Sequence, residues 1–225
     1  MKKYLSTQEK LFIVLACIVL FLGSLNVAKA QGRLIPPAAP VAIVDNTIIL
    51  DDFTLEQKIA QMVIVAGVEH NREAFQRLQV GGIHLFALAS EQGYQERIES
   101  YQEGMNIPFF VTVDLEGCLN PFAAFRSSEP VSKVTTPGEA FQKGRDDGRF
   151  LANLGFRINY APVVDLGDAI WQCRSFPGNS TVTAELAQSY ILGLQNEGVI
   201  ATAKHYPGKT LVIRDPHKNL VEATI

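Results

Sequence analysis

The chain has 225 residues, 47% hydrophobic and 19% charged, with a formal net charge of −3. That length favours one domain with room for a buried core, and the composition is that of an ordinary globular protein once the apolar N-terminus is set aside. With no basic excess, nucleic acid drops out as a partner.

Lys2, Lys3 and Lys10 precede an apolar run from Leu11 to Gly23, and Val27-Ala28-Lys29-Ala30 sets small residues where a signal peptidase reads. This order predicts a signal peptide over residues 1–30, cleaved before Gln31, and an exported, periplasmic or extracellular protein. The alternative is an uncleaved anchor over residues 11–27, about 17 residues and at the short edge of a bilayer span. Only then does a membrane enter as a partner. Cys17 reads as a small residue of the apolar run. Cys118 and Cys173 sit in no C-x-x-C or zinc-ligand spacing, so no structural metal site is expected; no cofactor is expected either. Two unpaired thiols are the preferred state, with a disulfide as the alternative open to an exported protein.

Residues 31–52 hold Pro36, Pro37 and Pro40 and no helical period, so they read as a linker. The domain, 53–225, opens with Thr54-Leu55-Glu56-Gln57, a capping-box pattern. Strands are predicted at 62–66, 81–86, 109–114, 158–165 and 200–204, alternating with helices near 71–78, 91–104, 138–154 and 181–197. Gly155 and Gly198 are natural helix stops, whereas Gly144 and Gly148 weaken the helix they interrupt. Short apolar strands between helices imply an α/β fold with parallel pairing. The pattern fits about the first five βα units of a (β/α)8 TIM-type barrel. The rival is an open five-stranded flavodoxin-like sheet, for which no Gly-rich phosphate loop follows the first strand.

Chemistry-bearing residues fall at the ends of these strands. Asp114-Leu115-Glu116-Gly117 follows the strand 109–114, where carboxylates either face a barrel mouth and accept hydrogen bonds from hydroxyls, or serve as local caps. Arg174 carries a fork able to hold sugar oxygens, or lies on the surface. Lys204 and His205 end the fifth strand. Adjacent strand residues point to opposite faces, so both reach one ligand only if the backbone turns, as it can at Pro207-Gly208. Otherwise Lys204 faces solvent and His205 is a buried, hydrogen-bonded histidine. Asp215-Pro216-His217 is the sharpest signal: Asp215 can orient and charge an imidazole, or merely pin a loop.

Together these stretches resemble glycoside hydrolase family 3, in its bacterial β-N-acetylglucosaminidase branch. The resemblance runs in order through Thr54 to Met62, Val80-Gly81-Gly82-Ile83, Val113 to Gly117, Asn159 to Asp165, Arg174-Ser175-Phe176, Gly193 to Gln195 and Lys204-His205-Tyr206-Pro207-Gly208. The downstream Asp215-Pro216-His217 marks the N-acetylglucosaminidase branch. The resemblance implies a retaining glycosidase in which His217, oriented by Asp215, is acid and base. Asp114, Arg174, Lys204 and His205 would hold the sugar. It places the nucleophilic Asp beyond residue 225, so the chain is expected to be the N-terminal part of a hydrolase acting on cell-wall or chitin-type N-acetylglucosaminides, inactive alone. The alternatives are a non-catalytic carbohydrate-binding remnant or a β-glucosidase-like member. One departure stands out: Phe122 occupies the place where the family supplies an Arg, with Arg126 as the nearest substitute.

Overall fold

Helix α2 (Leu55–Gln61) starts on the predicted capping box. Thr54 Oγ1 accepts from the Gln57 amide at 3.2 Å, and Gln57 Oε1 accepts from the Thr54 amide at 2.9 Å. The structure is a computed structural model and describes residues 7–30, 35–45, 47–168, 170–206, 208, 215 and 217–219. Ahead of the domain lie helix α1 (Thr7–Ala30) and a two-stranded antiparallel hairpin of β1 (Ile43–Val44) and β2 (Thr47–Ile48). On α1, Val19, Leu20, Phe21 and Leu22 are exposed. Part of the 31–52 segment rests on the domain: Val41 is buried, and the Ala39 carbonyl accepts from Gln57 Nε2 at 2.7 Å.

Five parallel strands follow: β3 (Ile64–Ala66), β4 (Gly82–His84), β5 (Phe110–Val113), β6 (Ile158–Asn159) and β7 (Ile200–Ala201). Each pairs with its neighbour in sequence, with Ile64 opposite Gly82, Gly82 opposite Phe110, Thr112 opposite Ile158, and Ile158 opposite Ile200. Between them run α3 (Arg72–Leu78), α4 (Glu91–Gln102), α5 (Pro137–Leu154) and α6 (Ser180–Asn196). A flavodoxin-like sheet places its second strand outside its first, in the order 2-1-3-4-5. The unbroken sequential order here is the arc of a barrel, and the open-sheet rival falls.

The predicted strand 158–165 contracts to Ile158–Asn159. The buried Asn159 turns its amide to the Leu115 backbone, accepting from the N–H at 2.9 Å and donating to the carbonyl at 3.1 Å. Pro162 then has no N–H to extend the ladder, and only Val163 resumes it, bridging to Lys204 and Ser175.

Glycines that weaken a helix by propensity prove to be what lets two helices meet. A Cβ at Gly144 or Gly148 of α5 would strike the carbonyl oxygens of Tyr190 and Leu194, and one at Gly193 of α6 would strike Phe141 O. The helices therefore cross backbone to backbone. Under them lies an aromatic core in which Tyr94, Phe122 and Phe156 are wholly buried, with ring centroids 4.8 Å (Tyr94–Phe122) and 5.6 Å (Phe122–Phe156) apart.

Cys118 and Cys173 form a disulfide, with Cα atoms 5.8 Å apart, which corrects the expectation of two unpaired thiols. Spacing hid the pairing because the cysteines lie 55 residues apart in sequence. They occupy the loops that leave the adjacent strands β5 and β6, and the parallel pairing brings those loops together.

Candidate active site

At the C-terminal edge of the sheet, charges of alternating sign form a chain. Lys204 Nζ lies 2.7 Å from Asp114 Oδ1 and also pairs with Glu116 Oε1. Glu116 in turn receives the Arg174 fork, with Nη1 at 3.0 Å from Oε2 and 3.3 Å from Oε1. Arg174 Nε donates to Asp168 Oδ2 at 2.8 Å, and Asp168 Oδ1 caps the amides of Ile170 and Trp171 at 3.0 Å each. Glu116, Arg174 and Asp168 are buried, whereas Asp114 exposes 42% of its side chain. Buried charges are tolerable only when each is paired and hydrogen-bonded, and this chain meets that condition link by link. Burial alone would lower the Arg174 pKa. The bond to Asp168 and the charge of Glu116 outweigh it, so the pKa is raised and the guanidinium stays charged.

Two further side chains frame Asp114. His84, closing β4, shares a 3.0 Å hydrogen bond between Nδ1 and Thr112 Oγ1, and its Nε2 lies 3.5 Å from Asp114 Oδ2. Its ring stacks on Tyr160 at 5.6 Å between centroids. Burial lowers the His84 pKa below its ordinary value, with the Lys204 charge adding to the effect and Asp114 opposing it. The imidazole is therefore neutral at pH 7.

His205 Nδ1 lies 2.6 Å from Oδ2 of the buried Asp165. The plain structural reading of Lys204 and His205 is thus reversed: Lys204 points inward with 18% of its side chain exposed, and His205 is the more open at 40%. Asp215 and His217 do form a dyad. Asp215 Oδ1 accepts from the His217 backbone amide at 2.9 Å and pairs with Nδ1 at 2.8 Å. Asp215 is held below the usual carboxylate range, by that backbone N–H first and the imidazole second. His217 meets the Trp171 ring edge-on at 6.0 Å, and the Arg174 guanidinium lies over the same ring at 4.7 Å. Pro207, to which the sequence assigns a bend, and Pro216, between the two members of the dyad, lie outside the described residues, as does Gln31.

All six residues expected at the site are thus placed: Asp114, Arg174 and Lys204 in one network, His205 on Asp165, and Asp215 with His217 beside Trp171. Sequence reasoning missed Asp165, Asp168, His84 and Trp171, and left Glu116 open between cap and ligand. Asp165 had a signal, since it ends an apolar strand, and His84 had one as the polar residue inside Gly-Gly-Ile-His-Leu-Phe. Arg126 does not stand in for an Arg at position 122. It pairs with the buried Asp147 at 3.1 Å and stacks on Phe150 at 4.1 Å, while Phe122 is core. Among the described residues no group of three or more His, Cys, Asp or Glu is arranged to hold a metal ion.

Comparison with known proteins places this geometry in a family. Residues 54–225 match the glycosyl hydrolase family 3 N-terminal domain. A beta-hexosaminidase of Idiomarina loihiensis is 31% identical over 176 residues, covering 71% of this chain and 53% of that protein. The beta-hexosaminidase LpqI of Mycobacterium bovis is 29% identical over 176 residues, covering 71% of this chain and 45% of its own length. Among solved structures, a family 3 beta-N-acetylglucosaminidase from a Paenibacillus species superposes with a TM-score of 0.61 at 25% identity, covering 69% of this chain and 34% of that one. LpqI of Mycobacterium tuberculosis superposes at 0.62 and 26% identity, covering 71% and 50%. The chain spans about half the length of the curated relatives it matches. Sequential parallel strands, charged side chains at their C-terminal ends and a match over residues 54–225 agree: the chain belongs to the glycosyl hydrolase family 3 N-terminal domain family.

Proposed function

We propose that this chain supplies the sugar-binding and proton-transfer residues of a retaining β-N-acetylglucosaminidase acting on N-acetylglucosaminides of the cell-wall or chitin type. The observation that carries the reading is the half-exposed Asp114, paired with the inward Lys204 and set on a buried frame of Glu116, Arg174 and Asp168. Asp114 accepts from sugar hydroxyls and Lys204 donates to sugar oxygens, while the frame keeps both from collapsing onto other partners. His205, steadied by Asp165, adds a third polar group at the same edge.

His217 is assigned the acid and base. Its Nδ1 is taken by Asp215, which leaves Nε2 to protonate the departing glycosidic oxygen and later to remove a proton from water. The carboxylate that attacks the anomeric carbon is assigned to none of the described residues. Export belongs to the same reading, and it draws support from the disulfide, since such bonds persist in oxidising compartments.

Titration calorimetry of the chain with N-acetylglucosamine and with glucose tests the binding half. N-acetylglucosamine should bind in preference, and Lys204→Met should weaken it by about tenfold or more, the worth of a charge-assisted hydrogen bond. Equal affinity for both sugars favours a β-glucosidase-like site. A folded chain that binds neither sugar overturns the reading.

A further inference from the structure

The disulfide stands next to the charges that frame the site. Cys118 is two residues from Glu116, and Cys173 is the immediate neighbour of Arg174. The Glu116–Arg174 ion pair and the Cys118–Cys173 bond therefore join the same two loops, one leaving β5 and the other leaving β6, at almost the same point. Between Glu116 and Cys118, Gly117 takes φ +81°, a conformation that glycine adopts freely. A Cβ there would also stand 2.9 Å from Val131 Cγ2 and 3.0 Å from Glu129 O. The chain thus turns sharply against its own later segment, and this turn presents the cysteine to the second loop.

We propose that Cys118 and Cys173 are positioning residues of the saccharide site: their disulfide fixes the two loops so that Glu116 and Arg174 meet in register. Two loops that meet only through long side chains must be ordered each time the site assembles, at a cost in conformational entropy. A covalent tie beside the ion pair removes most of that freedom beforehand, and a site organised in advance binds more tightly. The tie also reaches the proton-transfer side. Trp171, two residues before Cys173, lies under Arg174 and against the edge of His217. One bond thereby sets the frame beneath Lys204 and the wall beside the Asp215–His217 dyad. The effect on sugar rests on the proposed function, whereas the effect on the loops does not.

Both cysteines are partly exposed, so a dithiol can reach them. In the test, dithiothreitol gives two electrons and two protons to the S–S bond, leaving two protein thiols and closing its own ring disulfide. Hydrogen exchange, Trp171 emission and N-acetylglucosamine affinity are then compared in the oxidised, reduced and reoxidised protein. Trp171 is the one tryptophan of the sequence, so its emission reports this loop alone. Reduction should speed exchange by tenfold or so at residues 115–122 and at the Ile170 and Trp171 amides, shift the emission to the red, and leave α5 and α6 protected. Affinity should fall by about tenfold and return on reoxidation, the scale of ordering two long side chains anew. The Cys118→Ser, Cys173→Ser double variant should match the reduced state.

Unchanged exchange and emission in reduced, fully alkylated protein overturn the proposal, as does alkylation of both thiols without reduction. Loosened loops with unchanged sugar affinity overturn it too. If the loops loosen on reduction but neither state binds sugar, the tie stands and the saccharide reading fails.

Discussion

The two charged regions of this molecule are built in opposite ways. The Asp114–Lys204–Glu116–Arg174–Asp168 chain draws on the ends of three strands and their loops, and Glu116 and Arg174 are 58 residues apart in sequence. The Asp215–His217 pair is made within three residues, and His217 exposes 77% of its side chain. The first exists only because the sheet exists. The second is a local Asp turn, in which a side-chain oxygen accepts the amide two residues on, a motif that needs no tertiary structure. On the proposed reading the division is apt: a sugar site is best ordered before the substrate arrives, whereas a proton donor is best left open to the glycosidic oxygen.

The sharpest way to break the comparison is to remove one charge from each region. Arg174→Met leaves Glu116 and Asp168 buried without their cation, and should cost about 3–5 kcal/mol of stability, read as the shift in a urea midpoint at constant slope. His217→Ala should stay within about 0.5 kcal/mol of the parent, because an exposed side chain carries little of the fold. Equal losses in the two variants would mean that the loop dyad is structural and the contrast false.

Lys204→Met comes next. Lys204 serves the buried Glu116 but also the more open Asp114, where water takes up part of the loss. A cost of about 2 kcal/mol in the same urea experiment is expected, below that of Arg174. A loss as large as that of Arg174→Met would place Lys204 among the frame residues and count against its proposed role in holding sugar.

How much of this was legible in the sequence follows the same division. Local devices were: the Thr54–Gln57 box, the Gly155 stop and the Asp-x-His dyad all stand where short-range rules put them. Sheet order came from the alternation of apolar strands with helices. Pairings across the fold were not legible. Neither the partner of Glu116 nor that of Cys118 can be read from spacing, because both lie on the neighbouring loop. Gly144 and Gly148 counted against a helix until α6 supplied the reason for them. Asn159 ended a predicted strand early by turning its amide to Leu115.

His84 offers a smaller test, through pH. Burial lowers its pKa below the ordinary 6.5, so the unfolded chain takes up a proton at higher pH than the folded one. That uptake favours unfolding, so this contribution to stability is complete above pH 6.5 and is lost as the pH falls through the lower, folded value. Thermal melts of the parent should therefore decline more steeply from pH 7 to pH 5 than those of His84→Gln, which has no proton to take up. Parallel declines would mean that the strand-end cluster does not sense the imidazole.

The smallest effect lies at Asp215, and it separates the two contributions to its lowered pKa. The backbone N–H of residue 217 is the larger and the imidazole the smaller. His217→Ala keeps the first and removes the second, so the Asp215 carboxyl should rise only part of the way toward its ordinary 3.8. A 13C-detected titration of the labelled aspartate reads this directly. Because the pKa is depressed, any stabilising effect is present above the ordinary value and fades as the pH falls through the folded one, and solvent screening keeps it small. A complete return to 3.8 in His217→Ala would show that the imidazole alone holds the carboxylate, and the dyad would then be a true ion pair rather than a turn that happens to carry one. A partial return keeps the contrast intact: the turn sets Asp215 in place first, and the imidazole docks on a carboxylate already positioned for it.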